Sequence, residues 1–152
     1  MQRRLGAILL VVALAAPVSM LIASTAAAVR TPPHPCDLPR RDGETIQHHS
    51  RRLIECAVVA FGPVKGGAPR AICIAKRESG LIPSASSKTG MYLGLYQHAA
   101  TYWPYRFDTY TRSSWDLSSS ALSGRSNAIV TVRMVHAMGG WKPAGWPVKS
   151  CA

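Results

Sequence analysis

The chain has 152 residues, a single-domain length, and its 18 Lys and Arg against 7 Asp and Glu give a formal charge of +11. That balance favours polyanionic partners, but the basic residues are scattered in ones and twos, with no basic helix stripe and no nucleic-acid motif. Nucleic acid is therefore not expected as a partner, and no helix carries enough basic residues on one face for a membrane-active peptide.

At the amino terminus Arg3 and Arg4 precede the apolar run LGAILLVVALAAPVSMLIASTAAAV, with Ala26 and Ala28 at the small-residue spacing that signal peptidase accepts. A signal peptide is predicted over residues 1–28, and the protein is expected to be exported. The same run is long enough, at about 20 residues, to serve as an uncleaved membrane anchor, although Pro17 in its middle favours cleavage. Cleavage leaves about 124 residues carrying 16 basic and 7 acidic side chains, a net +9. A core of that size is marginal without staples, and Cys36, Cys56, Cys73 and Cys151 supply them as two disulfides. Sequence leaves all three pairings open. No C-x-x-C, H-E-x-x-H or Cys/His cluster occurs, so neither a redox centre nor a metal nor another cofactor is expected.

Residues 29–44, rich in Pro and charge, read as an extended lead-in tied down by Cys36. A helix follows over 45–62, where Ile46, Leu53, Ile54, Ala57, Val58 and Phe61 recur at helical spacing and Gly62-Pro63 stops it. His48 and His49 fall on its polar side and read as solvated rather than as ligands. A second helix is predicted over 69–79, opened by Pro69 and closed by Gly80. From Leu81 to Gln97 the mixture of Pro, Ser, Gly and a few large apolar residues predicts loop and short irregular strand. The next segment, to Ser120, reads as a short helical turn limited by Pro104 and then surface loops. The last helix is predicted over 124–140, with Ile129, Val132, Val135 and Met138 on its apolar side and Gly139-Gly140 at its end. The tail WKPAGWPVKSCA then packs back through Cys151. The domain from 45 to 152 is thus expected to be mainly α, with an irregular cleft region.

Glu78 is the residue with chemistry. On a wheel of about 100° per residue, Ala71, Ile74 and Ala75 lie within about 60° of it, and Arg70, Lys76 and Arg77 lie elsewhere. The carboxylate therefore sits on the apolar face, at the negative end of the helix dipole, and Arg77 is not its expected partner. Desolvation and the dipole both raise its pKa. A glutamate still protonated near neutral pH is what a departing glycosidic oxygen needs. A helix-end glutamate that only caps a loop is the competing reading.

The stretch ESGLIPSASSKTGMYLGLYQ resembles the lytic transglycosylase and goose-type lysozyme group, whose members carry Glu-Ser at a helix end, Pro-x-Ala, and a Gly-rich turn closing on Gly-Leu-aromatic/Met-Gln. Here these are Glu78-Ser79, Pro83-Ser84-Ala85, Gly90 and Gly94-Leu95-Tyr96-Gln97. The pattern differs at Ile82, where the group has Asn or Asp, and in the three residues that separate Gly90 from Gly94, where the group has two. The resemblance implies a lysozyme-like domain acting on the glycan strands of peptidoglycan. It makes Glu78 the catalytic acid/base, and places Ser79, Gly94, Leu95, Tyr96, Gln97 and the helix-borne Asn127 at the substrate; Asn127 also reads as a cap or a solvated residue.

The reaction type rests on carboxylates. Asp108 and Asp116 are the candidates for a second acid opposite Glu78, and neither has a supporting motif. A single glutamate suffices if the substrate's N-acetyl group assists, and lytic cleavage to a 1,6-anhydro end is the favoured outcome. Lysozyme-type hydrolysis and a non-catalytic wall-binding protein of the same fold are the alternatives. Tyr92, Tyr96, Tyr102, Trp103, Tyr105, Trp141 and Trp146 are the rings available to stack on sugars; Trp103 and Trp141 read equally as core, and His98 as structural or solvated. The basic surface would hold a monomeric enzyme on a wall rich in anionic polymers.

Overall fold

A computed structural model describes residues 34–147 and 150–151, so the predicted signal peptide over 1–28 lies outside the described residues. The chain is mainly helical: α1 (Ile46–Phe61), α2 (Gly67–Ser79), α3 (Trp103–Tyr110) and α4 (Gly124–Ala137), with an antiparallel pair of two-residue strands, β1 (Tyr92–Leu93) and β2 (His98–Ala99). Tyr92 pairs with Ala99 and Leu93 with His98.

The caps explain the boundaries. Thr45 accepts from the His48 N–H at 3.2 Å to start α1, and Ser123 accepts from Ser126 N–H at 3.3 Å to start α4. Gly80, with φ +66°, ends α2, its N–H reaching the Ala75 and Lys76 carbonyls. α2 begins at Gly67, two residues before the expected start, so Pro69 lies inside the first turn. Pro104 also begins a helix rather than limiting one: it sits in the first turn of the eight-residue α3, where no intrahelical bond needs its missing N–H.

α4 is the axis of the core. Every residue from Ser126 to Val132 is buried, and the helix packs most extensively on α1 and also on α3. A helix enclosed this way carries apolar residues around most of its circumference. Leu53, Ile54 and Ala57 of α1, Ala71, Ile74 and Ala75 of α2, and Trp141 and Trp146 of the tail complete the main cluster. Trp103, Ala121 and Val130 form a smaller one beneath α3.

The disulfides are Cys36–Cys56 and Cys73–Cys151, and such bonds persist in an oxidising compartment. The first ties the lead-in to α1, where an Arg52–Glu44 ion pair at 2.9 Å and the His49 Nε2–H donated to the Leu38 carbonyl at 2.6 Å add to it. His49 is thus half-buried and structural, whereas His48 is exposed as expected. Among the described residues no helix is long and apolar enough to cross a membrane.

Candidate functional site

The apolar face of α2 runs from Ala71 through Ile74 and Ala75 into the core, and one further turn brings Glu78 to the core's edge, where it is half-buried. The carboxylate meets no hydrogen-bond donor among the described residues. Burial raises its pKa above the ordinary carboxylate value, and the charge of Arg77 opposes that only in part. Arg77 itself donates to the Ser150 hydroxyl.

Glu78 opens into a cleft of about 330 Å³ whose other walls are Tyr92, Gln97, Gly145, Trp146 and Pro147. No other carboxylate among the described residues lines it. Asp108 on α3 and Asp116 before α4 are both exposed and outside the cleft. Among the described residues no three His, Cys, Asp or Glu side chains converge as metal ligands.

The loop opposite Glu78 is fixed from three sides. Ser79 Oγ lies 3.1 Å from the Ala75 carbonyl and 2.9 Å from that of Leu95, so its single proton ties the end of α2 to the loop or to its own helix. Asn127 accepts the Tyr96 N–H at 3.1 Å and donates to the Ala121 carbonyl at 2.9 Å. Trp146 Nε1–H donates to the Tyr96 carbonyl at 2.9 Å. Gln97, at φ +50°, donates its side-chain amide to the Gly94 carbonyl at 2.9 Å and to that of Ala85 at 3.3 Å. With both N–H bonds so used, its Oε1 is left as an acceptor for a ligand hydroxyl.

The predicted substrate residues therefore divide. Glu78 and Gln97 line the cleft, while Ser79, Gly94, Leu95, Tyr96 and Asn127 hold its loop in place. The side chains of Leu95, Tyr96 and Asn127 are fully buried, so a direct contact of these side chains with substrate gives way to a supporting role. Tyr96 donates its hydroxyl to the Ala71 carbonyl at 3.1 Å and packs between Trp141 and Trp146, which raises its pKa. The Gly145–Trp146–Pro147 wall is the part that motif reading did not assemble; Trp146 alone was among the aromatic candidates. Comparison with protein-family models, with curated proteins and with solved structures gave no match.

Gly94 has φ +79°, and a Cβ there would lie 2.2 Å from both the Ala121 carbonyl oxygen and Asn127 Nδ2. Gly94→Ala must displace Asn127 and break its bond to Tyr96, besides adopting a backbone conformation unfavourable to L-residues. A loss of about 3 kcal/mol is expected in denaturant unfolding. A variant within about 0.5 kcal/mol of the parent would contradict this account of the loop.

Behind the loop His98 is fully buried between the edges of Trp103 and Trp146. An arginine can only donate, so Arg106 Nη1–H gives its hydrogen to His98 Nδ1 at 2.9 Å; the proton then belongs on Nε2, which donates to Thr131 Oγ1 at 2.7 Å. Thr131 in turn donates to the Asn127 carbonyl at 2.7 Å. Burial, reinforced by the Arg106 charge, lowers the His98 pKa to about 3 from 6.5. Below pH 6.5 the unfolded chain binds a proton that the folded one refuses, so this stability is complete above 6.5 and lost as pH falls towards 3. Within that window His98 contributes a slope of about 1.4 kcal/mol per pH unit. The slope read by urea unfolding from pH 7 to 4 should fall by about that much in a folded His98→Gln variant, whatever the carboxylates contribute to both proteins.

Proposed function

We propose that this chain is an exported peptidoglycan-cleaving enzyme of lysozyme-like fold, a lytic transglycosylase with Glu78 as its only general acid/base. The observation that carries the reading is the half-buried Glu78 carboxyl, which meets no donor among the described residues and faces a polar cleft where none of them adds a second carboxylate. The order of Glu78-Ser79, Gly94 and Gln97 along the chain supports it, because Ser79 bonds the Leu95 carbonyl and Gln97 that of Gly94 in the loop that borders the cleft.

In its protonated form, which burial favours, Glu78 gives its proton to the bridging oxygen between a muramic acid and the next sugar. The substrate's N-acetyl oxygen supports the electron-poor C1 as the bond breaks, a role that needs no protein carboxylate. The resulting Glu78 carboxylate then takes the proton of the C6 hydroxyl, which closes on C1 to give the 1,6-anhydro end and restores the acid. Tyr92 offers ring surface to a sugar face, and Gln97 Oε1 accepts from a sugar hydroxyl. Purified peptidoglycan incubated with the oxidised protein tests this. Soluble muropeptides are expected, and none from a demonstrably folded protein on several wall types would leave a binding module.

A further inference from the structure

Beside the Glu78 cleft lies a second groove, of about 400 Å³, lined among others by Tyr102, Tyr105, Arg106, Tyr110 and Met138, and Gly145 borders both. Its rim is unusually apolar for a surface: Tyr105 is 71% exposed, Tyr102 62% and Met138 44%. Exposed rings and a thioether gathered at one groove are the composition of a contact surface. The groove also contains a cation that no described carboxylate pairs with. Arg106 gives one hydrogen bond to neutral His98 and lies 5.7 Å from the centroid of the Tyr102 ring, yet no carboxylate among the described residues reaches ion-pair distance of it, and none lines the groove.

The geometry points to this groove as a docking site for the acidic stem peptide carried by the same glycan strand whose sugars occupy the Glu78 cleft. The inference rests on the glycan reading of that cleft. Three features select this occupant. Continuity at Gly145 means that a ligand entering the groove can be covalently joined to one in the cleft, as a stem peptide is joined to its muramic acid. The guanidinium fork of Arg106 matches a carboxylate, which such peptides present as free α-carboxyl groups. The tyrosine and methionine rim suits the apolar methyl and methylene groups of short alanine-containing and diamino-acid peptides. His98 is a positioning residue here: buried and neutral, it holds Arg106 from behind without adding charge of its own. The enzyme would accordingly prefer strands that still bear peptides to strands already stripped by an amidase.

The test is a titration of the oxidised Glu78→Gln protein, followed by NMR, with a defined glycan tetrasaccharide bearing stem peptides, with the same tetrasaccharide stripped of them, and with the free stem peptide. The peptide-bearing tetrasaccharide is expected to bind about tenfold more tightly and to shift the Tyr105 and Met138 signals, which the stripped one leaves in place. Adding Arg106→Gln should abolish that preference, and Tyr105→Ala, at an exposed position that does not endanger folding, should reduce it. Equal affinity for the two tetrasaccharides overturns the inference. So do groove signals that answer only to inorganic phosphate or a phosphate-bearing wall polymer, or that move with protein concentration alone and so mark a self-association face. If the free peptide shifts Tyr105 and Met138 but neither tetrasaccharide reaches Glu78, the peptide site stands and the glycan reading of the cleft falls. If the stripped tetrasaccharide fills the cleft and peptides add nothing, the reverse holds.

Discussion

Glu78→Gln is expected to lower kcat on peptidoglycan by about 10²- to 10⁴-fold, the range typical of removing a positioned general acid. The amide keeps the shape of the side chain and cannot give up a proton to the glycosidic oxygen. Stability should move the other way. The folded pKa is raised, so at a pH above it the folded protein holds an ionised, partly desolvated carboxylate at a cost the unfolded chain does not bear. Gln removes that cost, and the variant's Tm at neutral pH should equal or exceed the parent's, as expected where an active site trades stability for function. The same shift fixes the pH profile. Activity requires the protonated form, so kcat/KM falls as pH rises through the raised value, and that limb should lie above the ordinary glutamate pKa of about 4.3. A destabilised Glu78→Gln protein that retained most of its turnover would assign Glu78 to a structural cap.

Removing the Cys73–Cys151 disulfide should have the largest effect on stability and should also reach the site. It closes a sequence separation of 78 residues, against 20 for Cys36–Cys56. Chain-entropy arguments give about 4–5 kcal/mol for the longer loop and about 3 kcal/mol for the shorter. The positions matter as much as the lengths. Cys73 lies on α2, the helix that carries Glu78, and Cys151 closely follows the Gly145–Trp146–Pro147 wall. Without the bond the wall depends on the Trp146 hydrogen bond to Tyr96, on its ring packing and on the Arg77 bond to Ser150. The Cys73→Ser/Cys151→Ser protein, assayed where it is still folded, should therefore show a raised KM as well as lower stability. The Cys36→Ser/Cys56→Ser protein should lose stability with little change in KM, because that bond anchors the lead-in on α1. Equal effects of both pairs on KM would detach the tail from the cleft.

The helices were legible where periodicity and caps agreed. Gly62-Pro63 stops α1, and Gly80 ends α2. α4 was visible from its apolar rows, although its burial on nearly every side exceeds what one stripe implies. α3 was underread because Pro104 serves equally to begin a helix and to interrupt one, and sequence does not tell these apart. Within the site, the helical wheel put Glu78 at the end of a buried face, where it lies. It did not show which way the loop rings point. Tyr96, inside the motif, turns into the core to reach Ala71, while Tyr92, on the same loop, faces the cleft. Asn127 offered a cap or a ligand on sequence grounds and instead pins the Tyr96 and Ala121 backbones, a pairing 31 residues apart that no local pattern encodes. The tail wall was illegible for a similar reason: its place depends on the partner of Cys151, which cysteine counting leaves open.

The most direct measurement is mass spectrometry of the muropeptides that the oxidised protein releases from purified peptidoglycan, beside a folded Glu78→Gln control. Glu78 acting alone as acid and base, assisted by the substrate's N-acetyl group and with the C6 hydroxyl closing on C1, predicts 1,6-anhydro ends, lighter by one water than hydrolysed products and missing with the variant. Reducing ends in their place would contradict the lytic route and require a water to be activated in this cleft. Products undiminished by Glu78→Gln would contradict the central claim itself.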